Sequence, residues 1–523
     1  MKRSAVGLLS LYAVLLFVFS NTGTAIANPN NTEFGVGALP SDSGDFNSAF
    51  GFDALNGNAG GIGNTAIGAQ ALSSNSTGND NTAVGYSALT DSTTASHNTA
   101  IGGSALGLDS TGTDDTATGT HALASNDTGN DNTATGAFSL EFSTTGNDNT
   151  ATGSHSLFSN TTGSLNTANG FESLNLNTTG FDNTATGADS LASNTTGVQN
   201  TATGANSLVS NTTGFANTAT GMQALDSNTN GRQNTATGFS SLNRNISGNN
   251  NTADGFEALF NNTASNNTAQ GFEALFKNTT GNNNTAAGFE ALNANSTGAR
   301  NTAAGVNALL KNTTGQSNTV VGVNVMLNNT TGSNNIALGD SSGSNLTVGS
   351  NNIEIGNPGA AADTKAIRIG RQGTQTRTFV AGISGIAVNG SAVVVNAAGQ
   401  LGIVVSSARY KRDISDMDSA STDLMKLRPV VFRYRNDPKG IRQYGLVAEE
   451  VARIYPELVT RGPDGEVETV NYLTLTSMLL NELQKRSAEN RRQAEQLKTV
   501  EERLSALEKT IAIGEHSPRL AAK

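Results

Sequence analysis

The chain has 523 residues and a mass of 53.4 kDa, light for its length because it holds 59 glycines and no Cys or Trp. Only 36% of it is hydrophobic and 5% aromatic, too little apolar bulk for an enzyme with one large core, while 14% charge is too low for a charged disordered tail. Without Cys there are no disulfides, thiolate zinc sites or thiol nucleophiles, and the net charge of −11 comes without the basic stripe that a nucleic-acid partner requires. The acidic excess lies in the long N-terminal part, since residues 406–523 hold 20 Lys and Arg against 18 Asp and Glu.

The chain begins as an export signal. Lys2 and Arg3 precede an apolar run from Ala5 to Phe19, and Ala25-Ile26-Ala27 offers a small-x-small cleavage site. A mature protein starting near Asn28, secreted or held at the cell surface with no later membrane span, is the expectation.

A repeat of period 17 follows. Its Asn-Thr-Ala triplets fall at Asn64, Asn81 and Asn98, pass through Asp115, and run from Asn132 to Asn251. After one 16-residue step to Asn267 the ladder resumes and runs to Asn352. With two looser copies that start at Asn31 and Asn47, about twenty copies of N-T-A-x-G-x-x-[AS]-L-x-x-N-T-T-G-x-x result. Leu occupies the ninth position from Leu39 through Leu309, so stacked coils form an apolar ladder. The fifth-position Gly and the N-T-T-G segment suit tight turns, and stacked Asn and Thr can hydrogen-bond along the stack. Such a unit must stack on neighbours to bury its face. The period predicts a β-solenoid on the order of 100 Å long at one strand spacing per coil.

One Leu per 17 residues makes a thin coil. The fourth position is Ile67, Val84 and Ile101, then mostly Thr, then Val321, Leu338 and Ile355, which reads as half-buried or interfacial. We therefore expect chains to wrap around a shared axis as a trimeric β-roll. The pattern resembles the head repeats of trimeric autotransporter adhesins. Thr-Ala-Thr at 116–118, 133–135, 150–152, 184–186, 201–203, 218–220 and 235–237 also suits an ice-binding face, with a Thr-tolerant strand as the plainer explanation. Asn-x-Thr sequons follow from the turn chemistry. His97, His121 and His155 lack partners at ligand spacing, so no metal or cofactor is expected.

From Ile353 the period fades into short strands with Gly and Asn turns, including Ala392 to Val395 before a turn at 396–400. At Ser406 the composition changes to charged and apolar residues. Pro429 to Tyr434 alternates as a strand, and Gln443 to Leu446 leads into a helix over Val447 to Ile454. Leu458-Val459-Thr460 and Val467 to Val470 flank a Gly462-Pro463-Asp464-Gly465 hairpin turn. Tyr472 to about Ile511 reads as one long helix with heptad positions Leu483, Leu497, Val500, Leu504, Leu507 and Ile511, and with Asn490 and Gln493 on the same seam. That is the pattern of a coiled coil whose polar seam residues set register.

The run from Ser406 to Ile414 (SSARYKRDI), then LRPVVFRY, QYGLVAEEV, YPELV and a Tyr before a long helix, resembles the intramolecular chaperone domain of phage endosialidase tail spikes and tail fibres. The likeness covers about 406–500. It implies a domain that assembles a β-rich stalk into a homotrimer and then cuts itself off with a serine–lysine pair. Carried over by motif, Ser406 is the nucleophile, Lys411 the base and Val405–Ser406 the cleaved bond, with Ser407 as the alternative nucleophile. A Ser hydroxyl needs a base, and Lys serves when desolvated and neutral; an attacker adjacent to its own bond gains from proximity. Arg409, Glu449 and Glu450 are candidates for structural or assembly contacts.

These readings divide the chain into a signal peptide (1–27), a solenoid stalk (28–352), a β-rich neck (353–405), an α+β chaperone and autoprotease domain (406–472), a coiled coil (473–511) and a tail (512–523). The expected protein is a mainly β, exported, homotrimeric, adhesin-like fibre with one self-processing turnover. The alternative is an ice- or glycan-binding solenoid with a non-cleaving trimerisation domain. A glycan-cleaving enzyme is disfavoured, because a uniform rod offers no cleft with paired carboxylates.

Overall fold

The computed structural model describes residues 28–39, 44–381, 390–396, 398–435, 437–462 and 464–514. The export-signal pattern at 1–27 lies outside the described residues. The chain divides into two compact units, 1–384 and 385–523.

The first unit is a β-solenoid. Each coil contributes one three-residue strand, from β1 (Thr32–Phe34) to β21 (Ile367–Ile369), and every strand pairs in parallel with the next. Register is strict: Thr201, Ala202 and Thr203 stand beside Thr218, Ala219 and Thr220 of the following coil. The stack continues past residue 352 through β20 (Ile353–Ile355) and β21, where the 17-residue step shortens to 14. Away from the strand, Leu208 N–H donates to the Ala224 carbonyl at 3.0 Å and Thr212 N–H to the Thr229 carbonyl at 2.9 Å, so the turns are bonded along the stack as well.

The core of each coil is built from five inward positions, filled by four kinds of side chain. In the coil starting at Asn200 these include Ala202 in the strand and the adjacent pair Ser207 and Leu208, all 0% exposed. Two consecutive inward side chains cannot come from an extended chain, whose side chains alternate. Accordingly Asn206 (φ 57°) and Leu208 (φ 52°) are left-handed, and their equivalents repeat this in coil after coil. A left-handed non-glycine residue costs roughly 1–2 kcal/mol, which burial of a Leu at about 1.5–3 kcal/mol offsets. From Ser139 to Ser241 each Ser at the eighth position donates its hydroxyl to the carbonyl of the fifth-position Gly, as Ser207 does to Gly204 at 2.8 Å. That Gly is fixed by geometry: Gly204 has φ +128°, and a Cβ there would sit 2.7 Å from the Gly221 carbonyl carbon of the next coil.

The fourth inward element is asparagine. Asn200 Nδ2 donates to Asn183 Oδ1 at 3.2 Å and to the Gly214 carbonyl at 2.9 Å, and Asn200 Oδ1 accepts from Asn217 N–H at 3.1 Å. A second ladder runs through the twelfth position, where Asn211 Nδ2 donates to Asn194 Oδ1 at 2.8 Å. These side chains are fully buried, so paired amides fill space that apolar groups fill elsewhere. The expectation that a thin coil must borrow cover from other chains is corrected by this packing: the core closes within one chain. The fourth position is likewise exposed rather than half-buried for most of its length, with Ile67 at 44% and Val321 at 44%.

The second unit holds the hairpin β22 (Val394–Val395) and β23 (Leu401–Gly402), closed by Asn396 Oδ1, which accepts from Ala398 and Gln400 N–H at 3.0 Å each. Next come 3-10 helices at Ala408–Tyr410 and Asp418–Lys426 and the antiparallel pair β24 (Val430–Phe432) and β25 (Gln443–Gly445). Helix α1 (Ala448–Ile454), the pair β26 (Val459–Arg461) and β27 (Val467–Val470), and helix α2 (Tyr472–Gly514) complete it. A small core of Leu424, Val451, Tyr455, Leu458, Val470, Leu475 and Met478 joins these elements. No helix among the described residues is long and apolar enough to cross a membrane.

Candidate functional site

Ser406 and Lys411 flank the short 3-10 helix Ala408–Tyr410. Tyr410 N–H donates to the Ser407 carbonyl at 3.0 Å and Lys411 N–H to the Ala408 carbonyl at 3.1 Å, which closes one tight turn. The turn brings Lys411 back over Ser406, and its Nζ donates to Ser406 Oγ at 3.2 Å. Thus the two residues singled out in the sequence meet, and the lysine's bond goes to Ser406 rather than to Ser407. Both residues are exposed, as are Ile403, Val404 and Val405 on the N-terminal side. Arg409 lies over the Tyr410 ring, 4.7 Å from its centroid, which stiffens the turn from outside.

Further along the same unit, polar contacts that spacing did not reveal join distant segments. Ser421, fully buried, donates to Glu482 Oε1 at 2.6 Å, and Asn481 Nδ2 donates to Ser421 Oγ at 2.6 Å. Hydrogen bonds from Lys485, then from Ser421, hold the Glu482 carboxyl below its ordinary range. Tyr472 accepts the Leu446 N–H at 3.0 Å, tying the start of α2 to the end of β25. Glu450 takes both nitrogens of the Arg428 fork and is likewise held low by that hydrogen bond. It is a structural contact. Apart from Lys485 and Glu482, three residues apart on one helix, these partners are 22 to 61 residues apart in sequence, so no local pattern could have paired them.

Beside the small core lies an open apolar groove of about 640 Å³, lined by Leu424, Val431, Tyr444, Leu446, Leu475 and Leu479 among others. On α2 the heptad positions Leu483, Leu497, Val500, Leu504, Leu507 and Ile511 are 56–68% exposed. The helix is formed and its seam is uncovered.

Residues 406–460 match the family model of the chaperone of endosialidase. The match begins at Ser406, the residue that Lys411 touches. No curated protein and no solved structure matched the chain. A β-solenoid followed by an endosialidase-chaperone segment is the make-up of a fibre-like protein with a C-terminal chaperone, and such a segment points to an extracellular or surface setting. Among the described residues no group of three or more His, Asp or Glu side chains is placed to hold a metal ion. His121 and His155 instead stack on either side of Phe138. The sequon asparagines of the N-T-T-G turns, such as Asn160 and Asn177, are fully buried in the second amide ladder, which closes them to modification in the folded coil.

Proposed function

We propose that the chain is an exported, adhesin-like fibre that assembles as a homotrimer through its C-terminal segment and then cuts itself once, between Val405 and Ser406. The observation that carries the reading is the Lys411 Nζ to Ser406 Oγ contact of 3.2 Å at the first residue of the chaperone match.

The chemistry balances without a cofactor. Neutral Lys411 takes the Ser406 hydroxyl proton, and Oγ attacks the Val405 carbonyl carbon. The C–N bond breaks as the Ser406 nitrogen takes that proton back, leaving an ester between Val405 and Ser406 Oγ. Water hydrolyses the ester to the Val405 carboxylate and a free Ser406. A lysine can act as base only when desolvated, and Lys411 is solvent-exposed in the single chain. Covering by neighbouring copies supplies the missing step, so cleavage follows assembly. The uncovered seam of α2 and the open apolar groove support association through this segment.

Intact mass of the purified product tests the cleavage. The parent chain should give two fragments that split at Val405–Ser406, while Ser406→Ala and Lys411→Ala remain whole. One uncut species in all three would overturn the protease reading.

A further inference from the structure

Threonine recurs at three places in the coil: in the strand, at the thirteenth position and, exposed on the turn, at the fourteenth. Those at the thirteenth position work for the fold: Thr161, Thr178, Thr195 and Thr212 each donate their hydroxyl to the carbonyl one coil on, at 3.0 Å. Those in the strands do not. From Thr65 to Thr319, sixteen consecutive coils place Thr at the first strand residue. From β6 (Thr116–Thr118) to β13 (Thr235–Thr237) seven of eight strands place a second Thr two residues on, with Asn169 as the exception. None of these hydroxyls has an intramolecular hydrogen bond among the described residues, and from β8 (Thr150–Thr152) to β13 both outward positions are exposed around a buried Ala.

The outward positions of β6 to β13 therefore make a two-column array of hydroxyl and methyl groups with no ionisable side chain and no aromatic ring. The columns repeat at about 4.8 Å along the stack and stand about 6.6–7 Å apart across it, over roughly 34 Å. The repeat is even, because Thr N–H donates to the next coil's Asn carbonyl at 2.8 Å in each of these coils. Thr is stiff at χ1, so the array is ordered before anything binds. An uncharged array has nothing to attract a polyelectrolyte, and without aromatic platforms it lacks the usual means of gripping sugar rings. A partner that matches two fixed intervals over many coils must itself be a lattice. Hydroxyls and methyls at these intervals fit the oxygen spacing of ice.

We propose that the outward Thr face of β6 to β13 binds ice. The inference concerns the solenoid alone and holds whether or not Ser406 is active. Ice-affinity partitioning and recrystallisation assays on the full chain test it, with Thr203→Lys on the face and Thr213→Lys on an exposed turn as variants. Circular dichroism and the thermal midpoint of each variant show that the solenoid is intact. The parent and Thr213→Lys chains should concentrate in growing ice and slow recrystallisation, and Thr203→Lys should fall to the level of an inert protein. A parent chain excluded from ice like serum albumin overturns the proposal. So does equal loss in both folded variants, since the effect would then not belong to this face.

Discussion

The solenoid and the C-terminal segment invert each other's use of polar and apolar groups. In the solenoid, amide ladders such as Asn183–Asn200–Asn217 are buried, and each coil is finished once its neighbours are stacked. In the C-terminal segment the paired Ser406 and Lys411 face solvent, and the seam from Leu483 to Ile511 lies bare. A region that satisfies itself needs no partner to fold, whereas a region with an uncovered apolar seam does. On the proposed reading, the drive for association lies after residue 405 rather than along the repeat.

Substitutions in the solenoid core should act on folding alone, beginning with the most disruptive. Gly204→Ala would set a Cβ against the Gly221 backbone at a φ that Ala disfavours, and should cost at least about 3 kcal/mol, read as a lower thermal midpoint and faster amide exchange in the adjoining coils. Leu208→Ala should cost about 2–5 kcal/mol by the same measurements, because the small coil cannot collapse onto the cavity. Neither change should alter association if the comparison holds.

A pH effect is expected at one place in the amide ladders. Asp109 and Asp115 stand where other coils have Asn, and both are fully buried. Burial, and for Asp109 next the Asp115 charge, raises them to about 8 and about 7 respectively from 3.8. The folded coil thus holds protons that the unfolded chain releases above about pH 4, so the stabilisation present at low pH is lost as pH rises toward 8. Asp109→Asn with Asp115→Asn should remove on the order of a few kcal/mol of this slope. Thermal unfolding at pH 5 and pH 8, parent against variant, checks it.

The smallest effect is a repair. Ser92, Ser143 and Leu346 interrupt the second ladder, and the acceptors left without a partner are Asn75, Asn126 and Asn329 Oδ1, each one coil earlier. Ser143→Asn should re-pair Asn126 and raise stability by about 1 kcal/mol, seen as a higher thermal midpoint.

Much of this was legible in residue order. The 17-residue spacing placed the strands, and the Leu ladder from Leu55 to Leu309 is buried as expected. The long helix from Tyr472 appeared where the pattern put it, and the hairpin strand expected at Leu458 to Thr460 lies one residue later, at Val459 to Arg461, paired with Val467 to Val470. Closure of the core within one chain was missed because hydropathy counts Asn as a surface residue, whereas stacked amides satisfy one another inside. The left-handed Leu208 was missed because propensity places Leu in helices, and only the need for two adjacent inward side chains explains it. At the candidate site the serine and lysine were readable from local order, while the Ser421–Glu482 contact elsewhere in the unit, 61 residues apart, was not.

The most direct test of the account is native mass, measured on the uncut Ser406→Ala chain and on a chain ending at Val405. The account predicts a trimer for the first and a folded β-solenoid monomer for the second. A monomer in the first case, or a trimer that survives loss of everything after Val405, would contradict it.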